Sequence, residues 1–349
     1  MSNGIWARNA SRPAAAAIQL ALGYQVAHAV YVATRLGVAD LMGAGISESL
    51  EIARRTGTRP DLMRRLLRAL AAFEVVKESG EDTFELTCVG ECLRAESASS
   101  VRPLILMYGS DHARQMFGCL QECVATGKSA FELAFGSANG FQYLDSHPDL
   151  ADLFNNGMSA ASSFTGPAIA GAYSFAGVRH LVDVGGGHGT VLGTILKAHP
   201  HLYGTLFDLP SVVEGASIRL ADEDLAGRCN VVAGDMFDAV PPGADRYLLA
   251  HVVHNWDDVR AVTVLRSCRR AMGNGAKLVI LDRVMPERIE PDDAARGNAL
   301  VDLMMLVRTT GGRERTAAEF EALLAGADLK LERIISLQIS EALLEAMPA

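Results

Sequence analysis

Cysteine and positive charge are both in short supply in this chain. Its six cysteines, Cys88, Cys92, Cys119, Cys123, Cys229 and Cys268, are too few to staple 349 residues into a disulfide scaffold. Two pairs have Cys-x-x-x-Cys spacing, which small apolar residues on a helix explain. The short spacings and partner ligands of a zinc site are missing, so no metal is expected. A formal net charge of −9 argues against nucleic acid as the main partner, because duplex binding relies on clustered cations. Met1 to Pro13 lacks the basic region and long apolar run of a secretory leader. Ala14 to Ala33 is apolar, but Gln19, Tyr24, Gln25 and His28 interrupt it, so no unbroken run of membrane length is expected. Internal repeats and low-complexity segments are absent too. What remains is a chain that is 49% hydrophobic, ample for a buried core. A soluble cytoplasmic protein is expected, with two domains or one large domain and a sizeable extension.

Residues 1–100 read as mostly helical. Ile18 to Leu36 is an alanine-rich helix, more apolar than one buried face requires, as expected if it packs on a second copy of the chain. Ile46 to Arg55 and Arg59 to Ala72 read as a helix–turn–helix around Thr56-Gly57-Thr58, and Phe73 to Leu86 as a short hairpin. Together they resemble a winged helix. Its arginines (Arg54, Arg55, Arg59, Arg64, Arg65 and Arg68) invite a DNA-binding reading. Interleaved Glu48, Glu51, Asp61 and Glu74 favour a dimerisation module with a solvated charged face. Residues 101–175 read as a helical connector lining a pocket. From 176 to 349 short strands alternate with helices, at His180–Val184, Gly204–Asp208, Cys229–Ala233, Arg246–His251, Lys277–Arg283 and Leu329–Ser336. That alternation predicts an α/β fold with a Rossmann-like, doubly wound and largely parallel sheet.

The first of these strands ends in Gly185-Gly186-Gly187-His188-Gly189, with a helix-like segment following at once. Glycines there permit a tight turn and let backbone approach a ligand. Asp208 closes the second strand, where a carboxylate accepts from ribose hydroxyls. Asp235 follows the third, placed to accept from an exocyclic amine while Met236 and Phe237 flank a flat ring. Counted from Gly185 the third place of the dinucleotide fingerprint is Thr190, and from Gly187 it is Leu192. The loop is glycine-rich without being that fingerprint, which favours S-adenosylmethionine over NAD.

Six words in fixed order then carry a family resemblance: Phe154-Asn155-Asn156-Gly157-Met158-Ser159, the glycine loop, Phe207-Asp208-Leu209-Pro210, Gly234-Asp235-Met236-Phe237, His254-Asn255-Trp256-Asp257-Asp258 and Gly311-Gly312-Arg313-Glu314-Arg315-Thr316. From about Val30 to Ser336 the chain resembles the S-adenosylmethionine-dependent O-methyltransferases of the plant caffeate type and their bacterial natural-product relatives. The resemblance implies a class I methyltransferase fold with an N-terminal dimerisation domain, a homodimer, and Ser162 near the cofactor carboxylate. It also implies His254 as general base, with Asp282 and Glu314 at the family's two acidic positions. Aspartate is one methylene shorter than the glutamate often found at the first, which leaves the reach of Asp282 open.

A phenol titrates near pH ~10, so methyl transfer to it at neutral pH is helped by a base, and a base is helped by a carboxylate that orients it. The acceptor is expected to be a hydroxylated aromatic small molecule, held by Phe154, Met158, Asn255, Trp256, Met305 and Thr309. Asn255 stands where the family has aspartate. His251 matches no catalytic position and reads as packing or lining. Two other functions compete: a family member repurposed for hydroxylation, decarboxylation or pericyclic chemistry, and a small-molecule-sensing DNA-binding regulator. An intact base with its carboxylates speaks against the first, and a gel shift decides the second.

Overall fold

Pro13 stands in the first turn of a 24-residue helix, Arg12–Arg35, where its missing N–H costs nothing. The computed structural model describes residues 12–137, 140–222, 225 and 227–349, and it divides into two units, Met1–Arg114 and Gln115–Ala349.

In the first unit, helices Ser49–Thr56 and Pro60–Ala72 are joined through Gly57. A hairpin pairs Val76–Gly80 antiparallel with Thr83–Leu86. Ile52, Leu67, Leu70 and Phe84 bury themselves between these elements. Most of the arginines named above are neutralised locally. Arg54 and Arg55 pair with Glu51, Arg59 with Asp61, Arg64 with Asp82 and Arg68 with Glu78. The long first helix keeps the polar interruptions expected of it. Its Pro13–Arg35 stretch is long and apolar enough, by length and composition, to cross a membrane. Isolated polar residues such as Gln19 and His28 break the run without lowering its mean hydropathy enough to matter. Ile18, Leu20 and Tyr24 on it are exposed.

The second unit is built on a seven-stranded sheet. Its strands are β1 (His180–Val184), β2 (Tyr203–Asp208), β3 (Cys229–Ala233), β4 (Arg246–Ala250), β5 (Lys277–Asp282), β6 (Leu329–Ser336) and β7 (Ala342–Pro348). Their spatial order is β6-β7-β5-β4-β1-β2-β3. The five strands from β3 to β5 are mutually parallel, and β7 runs antiparallel to both of its neighbours. The sheet is therefore mixed, with β7 an element not anticipated above. Both faces are covered by apolar side chains, Val182, Tyr247, Leu249 and Ile280 on one and Leu181, Leu206, Leu248 and Leu281 on the other. Near-continuous hydrophobic strands are what a sheet buried on both faces requires. The strand order reverses between β1 and β4, and in such sheets the crevice beyond the carboxyl ends at that switch point is where ligands bind.

At the opposite end of the strands a buried tyrosine ties two segments together. The Tyr247 hydroxyl, fully buried, donates to Ala271 O at 2.8 Å and accepts from Ala244 N at 3.3 Å. Tyr247→Phe leaves Ala244 N without its partner and Ala271 O with only the longer bond from Gly243 N at 3.4 Å, and is expected to cost about 1–2 kcal/mol in urea unfolding. Its kcat at saturating substrate should stay at the wild-type value.

Candidate active site

The chain leaves β1 at Val184 and turns through Gly185 and Gly187, at φ of +73° and +59°. Both values lie in the left-handed region that side chains other than glycine resist. A Cβ on Gly187 would meet nothing within 4 Å, so the loop presents bare backbone to open space. Asp208, at the end of β2, accepts from Gly187 N and from Leu209 N, each at 2.7 Å. Each of its oxygens keeps a lone pair for a hydroxyl donor. Burial raises the Asp208 carboxyl above its usual range, against those two bonds. Beneath the loop, Asp183 is buried and neither of its oxygens has a hydrogen-bond partner among the described residues. Burial, then the nearby Asp208, pushes it up to about 7. Asp235 lies beyond β3, where its Oδ1 accepts from Phe237 N at 2.8 Å.

His254 follows β4 in a short 3₁₀ turn, Val253–Asn255, and is buried. Its Nδ1 lies 2.8 Å from Glu314 Oε1 and 3.7 Å from Asp282 Oδ1, at the end of β5. The first is a hydrogen bond and the second is electrostatic proximity only. Burial by itself lowers the imidazole pKa, but Asp282 and Glu314 outweigh it and hold His254 above its ordinary value. His251 sits in the left-handed region at φ 56°, its ring 5.7 Å from that of His254. Burial, then His254, pushes it down to about 3, so it is neutral at neutral pH. The ligand atoms of His251, His254 and Asp282 fall within 4.8 Å of one another. His254 Nδ1 is already engaged, however, and the Arg283 charge acts on both imidazoles against a further cation.

On the helix Pro148–Ala172, Phe154 and Met158, expected on the acceptor side, and Ser162, expected near the cofactor carboxylate, are half-buried. Phe154 meets Phe141 edge-on with ring centroids 6.4 Å apart, and Phe141 continues to Trp256 at 6.1 Å. The Arg308 guanidinium lies 5.0 Å from the Phe154 ring centroid, linking that helix to Asp293–Arg308. Met305, on the latter helix, is buried. Trp256 also packs edge-on against Phe237 at 4.8 Å, so it bridges the groups expected on the cofactor side and those expected on the acceptor side. Two polar side chains are committed to backbone. Thr309 Oγ1 donates to Met305 O and accepts from Gly312 N, and the Asn255 amide donates to His251 O. Sequence reasoning did not single out Asp183, Arg308 or Arg315. Asp183 and Arg315 lay inside words already quoted, while Arg308 carried no local signal.

A bare-backbone glycine loop, acidic residues at successive strand ends and a carboxylate-held histidine past the switch point together define a nucleoside-cofactor transferase of the class I methyltransferase fold. Residues 117–330 match the O-methyltransferase domain and residues 18–96 the O-methyltransferase dimerisation domain. The chain belongs to this O-methyltransferase family. It is 37% identical over 331 residues to the phenazine O-methyltransferase PhzM of Lysobacter antibioticus, covering 95% of each chain. The LaPhzM crystal structure matches with a TM-score of 0.90 at 36% identity, over 97% of this chain and 100% of that one. The neocarzinostatin-biosynthesis O-methyltransferase NcsB1, solved with S-adenosylmethionine and 2-hydroxy-5-methyl naphthoic acid, matches with a TM-score of 0.77 at 35% identity, over 93% and 96% of the two chains.

The cofactor is S-adenosyl-L-methionine, and the residues here fit it. The unpartnered Asp183 carboxylate, the open face of Gly187 and the spare acceptor capacity of Asp208 offer polar groups for an aminoacyl and ribosyl ligand that carries no phosphate.

Replacing Glu314 by Gln tests the electrostatics. A histidine whose folded pKa is raised adds stability that is fully present below its unfolded value, near ~6.5, and is lost as pH rises through the folded value. The destabilisation by Glu314→Gln in urea should therefore be largest near pH ~6 and shrink with rising pH. The His254 ring titration followed by NMR should move to lower pH.

Proposed function

We propose that this chain transfers the methyl group of S-adenosylmethionine to a hydroxyl of an aromatic small molecule, with His254 as general base, in natural-product biosynthesis of the kind its bacterial relatives serve. The observation that carries the proposal is the buried hydrogen bond between His254 Nδ1 and Glu314 Oε1. It fixes the tautomer with the proton on Nδ1 and leaves Nε2 bare to take the proton of the acceptor hydroxyl. Raising the imidazole pKa brings the base closer to that of a phenol, which eases the transfer. The cofactor supplies a methyl already activated on a sulfonium sulfur, so the protein's tasks are alignment and deprotonation. Gly185, Gly187, Asp208 and Asp235 hold the nucleoside, with Met236 and Phe237 against the adenine and Ser162 near the carboxylate. Phe154, Met158, Trp256 and Met305 clamp the flat acceptor, while Asn255 and Thr309 shape its pocket through groups already tied to backbone. Asp282 acts through charge, since it stands beyond hydrogen-bond distance of the imidazole.

The same reading makes the chain a homodimer that works in the cytoplasm and needs neither nucleic acid nor membrane. Its support is the dimerisation-domain match beginning at residue 18, inside the helix that leaves Leu20 84% exposed in the single chain. A second copy covers that apolar surface without a lipid phase.

Purified enzyme, incubated with S-adenosylmethionine and a panel of phenols and hydroxy-aromatic acids, should give a product heavier by one methylene unit in mass spectrometry. His254→Ala should lower that rate by about 10²–10⁴-fold, the usual share of a general base. A product gaining oxygen or losing carbon dioxide instead would replace methyl transfer by a repurposed chemistry. Leu20→Glu should convert the dimer to monomer in light scattering, and an unchanged dimer would remove this helix from the interface.

A further inference from the structure

Arg315 is fully buried, and a guanidinium cannot shed its charge on burial. All five of its N–H donors have acceptors. Nε reaches Asp258 Oδ1 at 3.1 Å, one Nη1 proton reaches Val253 O at 3.2 Å and the other Arg313 O at 3.4 Å. Nη2 reaches Trp256 O at 2.7 Å and Asp258 Oδ1 at 2.9 Å. Two of these acceptors, Val253 O and Trp256 O, are backbone carbonyls on either side of His254. The residue preceding Arg315 is Glu314. The backbone of Arg315 is itself fixed by a parallel bridge to Val284, two residues beyond Asp282. Neighbouring contacts press the same two segments together. Arg313 N donates to His254 O at 2.9 Å, and a Cβ on Gly312 would stand 2.6 Å from that oxygen.

We infer that Arg315 is a positioning residue for the methyl-transfer reaction: its side chain ties the turn carrying His254 to the segment carrying Glu314, and so sets the distance between base and carboxylate. The inference rests on the reading of His254 as the base. A lysine in its place keeps the charge but is a single nitrogen that cannot grip carbonyls on both sides of the turn as well as Asp258.

The groups facing His254 are Glu314, Asp282 at the end of β5, Arg283 just after it, and His251 on the same rim. With the Glu314 contact loosened, burial and Arg283 act on the imidazole with less opposition. The pH at which kcat reaches half its plateau, as His254 loses its proton, should then fall.

The test is a pH–kcat profile with saturating acceptor and cofactor for wild type, Arg315→Lys, Asp258→Asn and His254→Gln. Arg315→Lys should lower kcat about 100-fold, as a small displacement of a catalytic group does. Its limb should move to lower pH, and the acceptor KM should stay within a factor of about two. Asp258→Asn releases one end of the clamp and should shift the limb in the same direction by less. It also keeps the test open if Arg315→Lys does not fold. A limb that stays at the wild-type pH in every folded variant of the clamp would overturn the role given to Arg315, whatever the loss of thermal stability. A wild-type limb that persists in His254→Gln would instead overturn the reading of His254 as base.

Discussion

The second unit is organised around a hydrogen bond that water would weaken: His254 Nδ1 to Glu314 Oε1, with both side chains almost wholly buried. Removing an ionisable pair from solvent is costly unless geometry and neighbouring groups compensate. Here the compensation comes from elements distant in sequence. The end of β4 delivers the histidine, and the end of β5 delivers a second carboxylate. A segment sixty residues beyond the histidine delivers Glu314. The low dielectric that makes the pair expensive also makes the histidine responsive to two carboxylates, and so a stronger base than it would be in water.

The cofactor side relies on a different economy. Its groups are mainly backbone and carboxylate oxygen, positioned by turns rather than by long side chains. Asp208 is braced by the amides of Gly187 in the glycine loop and of the next residue, Leu209, while Asp183 is left without a partner among the described residues beneath the loop. Trp256 joins the two halves of the site, since the same indole touches Phe237 on one side and Phe141 on the other.

Local words in the sequence carried much of this. The glycine loop, Asp208 and Asp235 are legible because each is defined by its offset from the end of a strand, and strands announce themselves by apolar runs. The alternation of strands and helices likewise gave the parallel core of the sheet. What escaped was whatever depends on distant partners. Strand β7 has an apolar run too short to tell from a loop, and it is a strand because β5 and β6 hold it on both sides. The work done by Arg315 depends on carbonyl groups, which leave no mark in a sequence, at positions up to 62 residues away. The first helix shows the converse. Its composition was plain, but whether so apolar a surface meets lipid or protein is not a property of one segment.

The position of β7 also governs how the sheet closes. Strand β6 neighbours only β7 in the finished sheet. In any folding intermediate formed before β7 docks, β6 is therefore unpaired. An orphan strand is an invitation to aggregate, and this one carries its own deterrent. Lys330, Glu332 and Arg333 lie along it, charges of the kind that keep strand edges from pairing with strangers. Once β7 arrives, Glu345 takes up Arg333 and Lys277 in ion pairs across three adjacent strands. Residues that protect the unpaired edge thus become part of the seam that closes it.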